Sequence, residues 1–174
     1  MQKRPDAVKF RGQPKTLIGP QLKKGDKAPP FTCATGIKDT LSFAQTPAKA
    51  RLFSVVPSLD TPVCSMQTKK FDEAVASLKD KVASYTVSMD LPFAQKRFCS
   101  AEHISNMQSL SDTHNQSFGK SYGVLIEGLE FPLLSRAIFV VDRNSKITYC
   151  EYVPEVGSHP NYEKAVEALK AAAG

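Results

Sequence analysis

Arg51-Leu52-Phe53-Ser54-Val55-Val56-Pro57-Ser58-Leu59-Asp60-Thr61-Pro62-Val63-Cys64 is the stretch from which the rest of the chain can be read. Residues 51–56 read as a buried strand that Pro57 ends. After a short loop a helix is expected over 62–78, because Phe71, Ala74, Val75 and Leu78 recur at helical spacing. Asp60 or Thr61 can cap its start, and Pro62 suits the first helical position, where its missing N–H costs nothing. Cys64 therefore falls in the first turn of a helix that follows a buried strand.

Outward from this stretch, strands and helices alternate. Residues 82–89 read as a second central strand, with Val82, Tyr85, Val87 and Met89 apolar. Asp90-Leu91-Pro92 is a loop, 93–103 a short helix, 107–110 a short strand and 114–122 a short helix closed by Gly123. Residues 135–141 and 146–153 form a hairpin around the turn Asp142-Arg143-Asn144-Ser145. The last helix, 162–173, carries Ala165, Val166, Leu169 and Ala172 on one side. Before residue 45 the chain reads as short strands and turns; 8–11 and 16–18 flank the turn-prone Gly12-Gln13-Pro14. The class is α/β: a central mixed β-sheet flanked by helices. A length of 174 residues is that of one domain with a sizeable core.

Composition excludes several functions. Hydrophobic residues at 41% and charged residues at 23% are globular values. No apolar run reaches the roughly 18 residues of a membrane span. No apolar segment follows Met1-Gln2-Lys3-Arg4-Pro5-Asp6, so no secretory leader is expected and the compartment is read as cytoplasmic. The net charge of +6 is scattered, with Lys23-Lys24 and Lys69-Lys70 its densest pairs, so it reads as a solvated surface and not a nucleic-acid stripe. Gly119-Lys120-Ser121 resembles the tail of a phosphate loop, but His114 stands where the earlier glycine is required. His103, His114 and His159 lie in polar contexts and read as surface residues.

Four cysteines, Cys33, Cys64, Cys99 and Cys150, stand far apart with no CxxC. That disfavours a zinc ribbon and a thioredoxin-type dithiol motif. Cys99 and His103 are four apart, but no second pair completes a metal site. At Cys64 the free N–H groups and positive dipole of a helix start favour thiolate. Making most of an ordinary thiol ionic at neutral pH takes about 2.7 kcal/mol. A helix terminus supplies about 0.3–1 kcal/mol, and at most about 2. A nearby cation is needed as well. From spacing alone, Cys64 reads equally as a reactive thiol and as a buried cysteine in a helix start.

Pro57-x-x-x-Thr61-x-x-Cys64 resembles the active-site signature of the peroxiredoxins. Together with Asp90-Leu91-Pro92-Phe93-Ala94-Gln95-Lys96-Arg97-Phe98-Cys99 and Arg136-Ala137-Ile138-Phe139-Val140-Val141-Asp142, it is similar to their bacterial thiol peroxidase subfamily, over nearly the whole chain. The resemblance implies a thioredoxin-like fold over residues 1–174 with an N-terminal β-hairpin in about 1–17. It implies reduction of hydrogen peroxide and organic hydroperoxides, with thioredoxin as reductant and a homodimer as assembly. It assigns Cys64 as peroxidatic cysteine, Cys99 as resolving cysteine of an intrachain disulfide, and Thr61 as the hydrogen-bonding partner of thiolate and peroxide. Arg136 becomes the cation beside the sulfur and Pro57 the shield of the site. Without the resemblance Arg136 reads as an ordinary strand-end arginine, and Arg51 or Arg97 could be the cation instead. Cys33 and Cys150 match no catalytic position and read as buried fillers.

The residues suit that chemistry independently: a thiolate becomes sulfenic acid, which condenses with a second thiol. Cys99 lies 35 residues on, in a short helix that is marginal alone and able to unwind. No haem, flavin or metal is called for. Two other readings use the same fold or thiols: a thiol–disulfide oxidoreductase, against which the missing CxxC argues, and a redox sensor without turnover.

Overall fold

In the computed structural model, which describes residues 1–174, β1 (Lys3–Phe10) and β2 (Gln13–Ile18) form an antiparallel hairpin. Its turn is Arg11-Gly12, with φ of 51° and 78°, the left-handed pair that matches strand twist in a two-residue hairpin. The turn expected at Gly12-Gln13-Pro14 is displaced, because Gln13 and Pro14 already pair with Phe10 and Lys9. There follow β3 (Thr32–Ala34), β4 (Thr40–Ser42), β5 (Ala50–Val55), α1 (Pro62–Val75), β6 (Val82–Ser88), α2 (Pro92–Ala101) and β7 (Gln108–Ser111). The chain closes with α3 (Ser117–Ser121), β8 (Leu125–Ile126), β9 (Ala137–Val141), β10 (Ile147–Tyr152) and α4 (Tyr162–Ala173).

Seven strands form a mixed sheet in the order β10-β9-β5-β6-β7-β3-β4, and β1, β2 and β8 form a second, three-stranded sheet. β5, β6 and β7 are parallel neighbours; β9 runs antiparallel beside β5, and β10 antiparallel beside β9. The two-residue period of a strand sorts the central side chains onto two faces. Leu52, Ile138 and Val140 meet Phe71, Val75, Ala165 and Leu169 of α1 and α4. Phe53, Val55, Phe139 and Val141 face the other way, onto Tyr85, Phe118 and Tyr122. Truncating a buried phenylalanine of this core to alanine costs about 3–5 kcal/mol. The face under α1 and α4 is the one that holds the site.

Helix ends differ from expectation where backbone chemistry intervenes. The expected helix 114–122 shortens to α3, because Gln116 is left-handed (φ 58°) and the Asp112 carboxylate takes the N–H groups of Phe118 and Gly119 at 2.9 and 2.8 Å. The expected helix 93–103 stops at Ala101. His103 is left-handed (φ 56°), and the Ile104 N–H returns to the Cys99 carbonyl at 2.9 Å, a Schellman closure. No helix is long and apolar enough to cross a membrane.

Candidate active site

Arg136 immediately precedes β9 and is in phase with Ile138 and Val140, so the strand period turns it toward α1. The residue is 2% exposed. Nη2 donates toward Cys64 Sγ at 3.4 Å, and Nη1 donates to Gln67 Oε1 at 2.9 Å. Nε and Nη2 also donate to the Val156 carbonyl, at 2.9 and 2.7 Å. Gln67 is fixed in turn, since its Nε2 donates to Ser54 Oγ of β5 at 2.7 Å. The chain's ion pairs, Lys3–Glu127 and Lys69–Glu102, lie elsewhere, so no carboxylate neutralises Arg136. A buried cation without a counterion is costly. Of its partners only the Cys64 sulfur can take a full negative charge, and the contact strengthens when it does. Arg51 has the opposite strand phase and lies over the Phe43 ring, while Arg97 is exposed on α2.

Cys64 is fully buried among Val56, Leu59 and Phe98. The Ser65 N–H makes the first bond of the helix, to the Thr61 carbonyl at 3.0 Å, and the N–H groups of Val63 and Cys64 precede the helical ladder. Thr61 caps the helix in extended geometry, but its hydroxyl donates to the Ser58 carbonyl at 3.0 Å. The hydroxyl–sulfur bond that the resemblance implies is therefore not made: the loop turn has claimed the proton, leaving the oxygen free to accept. Pro57 is buried beside this loop. A largely apolar cleft of about 550 Å³ opens here, its wall built from Pro57, Thr61, Pro62, Arg136 and the hairpin's Phe10 and Arg11. Arg136 is thus shared between the cleft and the sulfur.

Cys99 is not brought to Cys64. Phe98 is the α2 residue that packs against the Cys64 cluster; Cys99 contacts Ser109 Oγ of β7 at 3.3 Å. Both cysteines are free thiols. Burial pushes the Cys99 thiol up, against a smaller pull from the Ser109 hydrogen bond. Cys33 is fully buried in β3 and donates to Asp112 at 3.6 Å; burial first, then that carboxylate, raises its pKa strongly. Cys150 is half-buried in β10. All three histidines are exposed. Sequence reading missed Gln67, which orients Arg136. The available signal was a polar residue four before Phe71 on the apolar stripe of α1, where a charge-neutral hydrogen-bonding group needs a buried partner.

A cysteine at the foot of a helix, in contact with a buried arginine on the same face of a mixed sheet, defines a thiol-based redox protein. The comparisons agree. A family model described as Redoxin matches residues 23–166. The thiol peroxidase of Halalkalibacterium halodurans is 51% identical over 166 residues, covering 95% of this chain and 98% of that one. That of Bacillus subtilis is 48% identical over 164 residues, covering 94% and 96%. The crystal structure of a peroxiredoxin-like protein from Aquifex aeolicus superposes with a TM-score of 0.88 at 41% identity, covering 96% and 97%. The chain belongs to the redoxin family. Its fold is thioredoxin-like with an added N-terminal strand pair, and within the family it is a peroxiredoxin-type thiol peroxidase, an enzyme that reduces peroxide with electrons from a thiol.

Proposed function

We propose that Cys64 is the peroxidatic nucleophile and Cys99 the resolving thiol of one chain. The observation that carries this reading is the 3.4 Å contact between Cys64 Sγ and a buried Arg136 that has no carboxylate partner. The Cys64 thiolate attacks one peroxide oxygen: an S–O bond forms, the O–O bond breaks, and sulfur loses two electrons. The departing oxygen leaves as hydroxide or alkoxide and takes up a proton. Arg136 and the free N–H groups at the start of α1 stabilise that developing charge. Thr61, with an accepting lone pair at the cleft, holds the peroxide's hydrogen, and Pro57 keeps water from the sulfur. The apolar cleft favours organic hydroperoxides beside hydrogen peroxide.

Cys99 then attacks the sulfenic sulfur; an S–S bond forms, the S–O bond breaks and water leaves. α2 must open for this, and its burial supports that: Gln95 is its one buried residue, and Leu91 and Phe93 beside it are 57% and 63% exposed. A dithiol returns two electrons and two protons to the disulfide; thioredoxin is that reductant. Residues 1–174 act as one domain with the hairpin of 1–17 as its extension, in a cytoplasmic homodimer. The reductant and the homodimer rest on the family resemblance. Peptide mapping after one equivalent of hydroperoxide tests the central claim. The expected product is an intrachain Cys64–Cys99 disulfide; a dominant bridge through Cys33 or Cys150 would overturn it.

A further inference from the structure

Asp90 stands between the two cysteine-bearing segments. It follows β6 and comes two residues before Pro92 opens α2. Its Oδ1 accepts from Ser58 Oγ at 2.8 Å, and its Oδ2 accepts from the Leu59 N–H at 2.8 Å and from Ser88 Oγ at 2.7 Å. Two of those three donors belong to the loop that leads to Cys64. Ser88 Oγ also receives Gln95 Nε2 at 3.0 Å, which reaches the Leu110 carbonyl at 2.9 Å as well. Gln95 is the one buried side chain of α2. A single hydrogen-bonded chain, Leu59–Asp90–Ser88–Gln95, thus ties the Cys64 loop to the root of the Cys99 helix.

We propose that Asp90 is a positioning residue for the peroxidase reaction: it holds the 57–61 loop around Cys64 for peroxide attack, and its release of that loop limits the closure between Cys64 and Cys99. The proposal rests on the two-cysteine reading above. Its physical basis is the number of acceptors. A carboxylate has two charged oxygens and serves three donors on two segments. Charge-assisted bonds of this kind are about twice as strong as neutral ones. An amide in the same place has one accepting oxygen and no charge: it accepts from either Ser58 or the Leu59–Ser88 pair, and a bond from its NH2 group to a remaining serine hydroxyl is neutral, with the donor reversed. The loop is then held less firmly before attack. The segments also part more readily afterwards, when Phe98 must leave the Cys64 cluster for Cys99 to arrive.

Rapid mixing of Asp90→Asn with hydroperoxide tests this. The first oxidation is timed in a Cys99→Ser background and disulfide closure in the intact pair. Attack should slow roughly tenfold while closure accelerates, since the two steps draw oppositely on one latch. At high peroxide less Cys64 should reach the sulfinic state, because closure competes with further oxidation. A merely structural residue would move both steps the same way. Rates that shift together, or not at all, overturn the proposal. Ser58→Ala removes one of the two loop bonds, leaving that of the Leu59 N–H, and should give the same split at smaller size, which serves if Asp90→Asn does not fold. Absence of a Cys64–Cys99 bridge in the wild-type protein would overturn the two-cysteine reading and this proposal with it. A wild-type bridge with unsplit rates in the variants overturns only the role of Asp90.

Discussion

α1 and α2 both open with a proline and lack a side-chain cap, yet they sit in the fold very differently. Over its 14 residues α1 buries Cys64, Gln67, Thr68, Phe71, Asp72 and Val75. The 10 residues of α2 bury Gln95 alone, and its closing turn spends a non-glycine residue, His103, in left-handed geometry. One cysteine is therefore set in packed core with a fixed guanidinium, and the other rides on a helix with little to lose by unwinding. A nucleophile gains from pre-organisation. Under the proposed division of work the resolving thiol gains from the opposite, because it must travel.

Replacing the two cysteines breaks the comparison most sharply. Cys64→Ser should reduce peroxide turnover to background with the fold intact by circular dichroism. Cys99→Ser should still consume one equivalent of peroxide per chain and then stall under a dithiol-protein reductant. Equal losses of the first equivalent would mean that the cysteines do not divide the work. Next comes the cation. Arg136→Met should slow the first oxidation about a hundredfold by stopped-flow, the usual scale for removing one charge-stabilising donor. Arg136→Lys should fall between, because lysine keeps the charge but loses the fork that binds Gln67 and Val156 together. An unchanged rate would remove Arg136 from the site.

Hydrogen exchange sharpens the contrast between the helices. Amides of α2 should exchange at least about tenfold faster than those in the middle of α1, since few buried contacts oppose local opening. The smallest effect is in pH. Burial raises the Cys99 pKa, so its folded form holds the proton above the ordinary value of 9.0. Alkylation of Cys99 in Cys64→Ser should therefore titrate at higher pH when folded than in urea. The sign for stability follows: the contribution is present below the unfolded pKa and is lost as pH rises past it. A Cys99 titration equal to that in urea would place this thiol in solvent already.

Much of this protein was legible in its sequence. Hydrophobic periods of two and 3.6 residues located β5, α1, β6, the β9–β10 hairpin and α4 to within a few residues, because those periods are properties of single elements. Cys64 at a helix start followed from Pro57, Pro62 and the stripe through Phe71 and Val75 in the same local way. The phase of Arg136 with Ile138 and Val140 was present in the sequence too, but not which helix it would meet. That contact spans 72 residues and depends on the register of β9 against β5, which only the assembled core fixes. The hydroxyl of Thr61 went to Ser58, Gln67 became the orienting partner of Arg136, and Asp90 joined the Cys64 loop to α2. The last two were decided by which polar groups the closing core left beside one another, since a buried donor takes the acceptor that tertiary packing puts within reach; the Thr61 hydroxyl instead closes an exposed local turn onto the carbonyl three residues back.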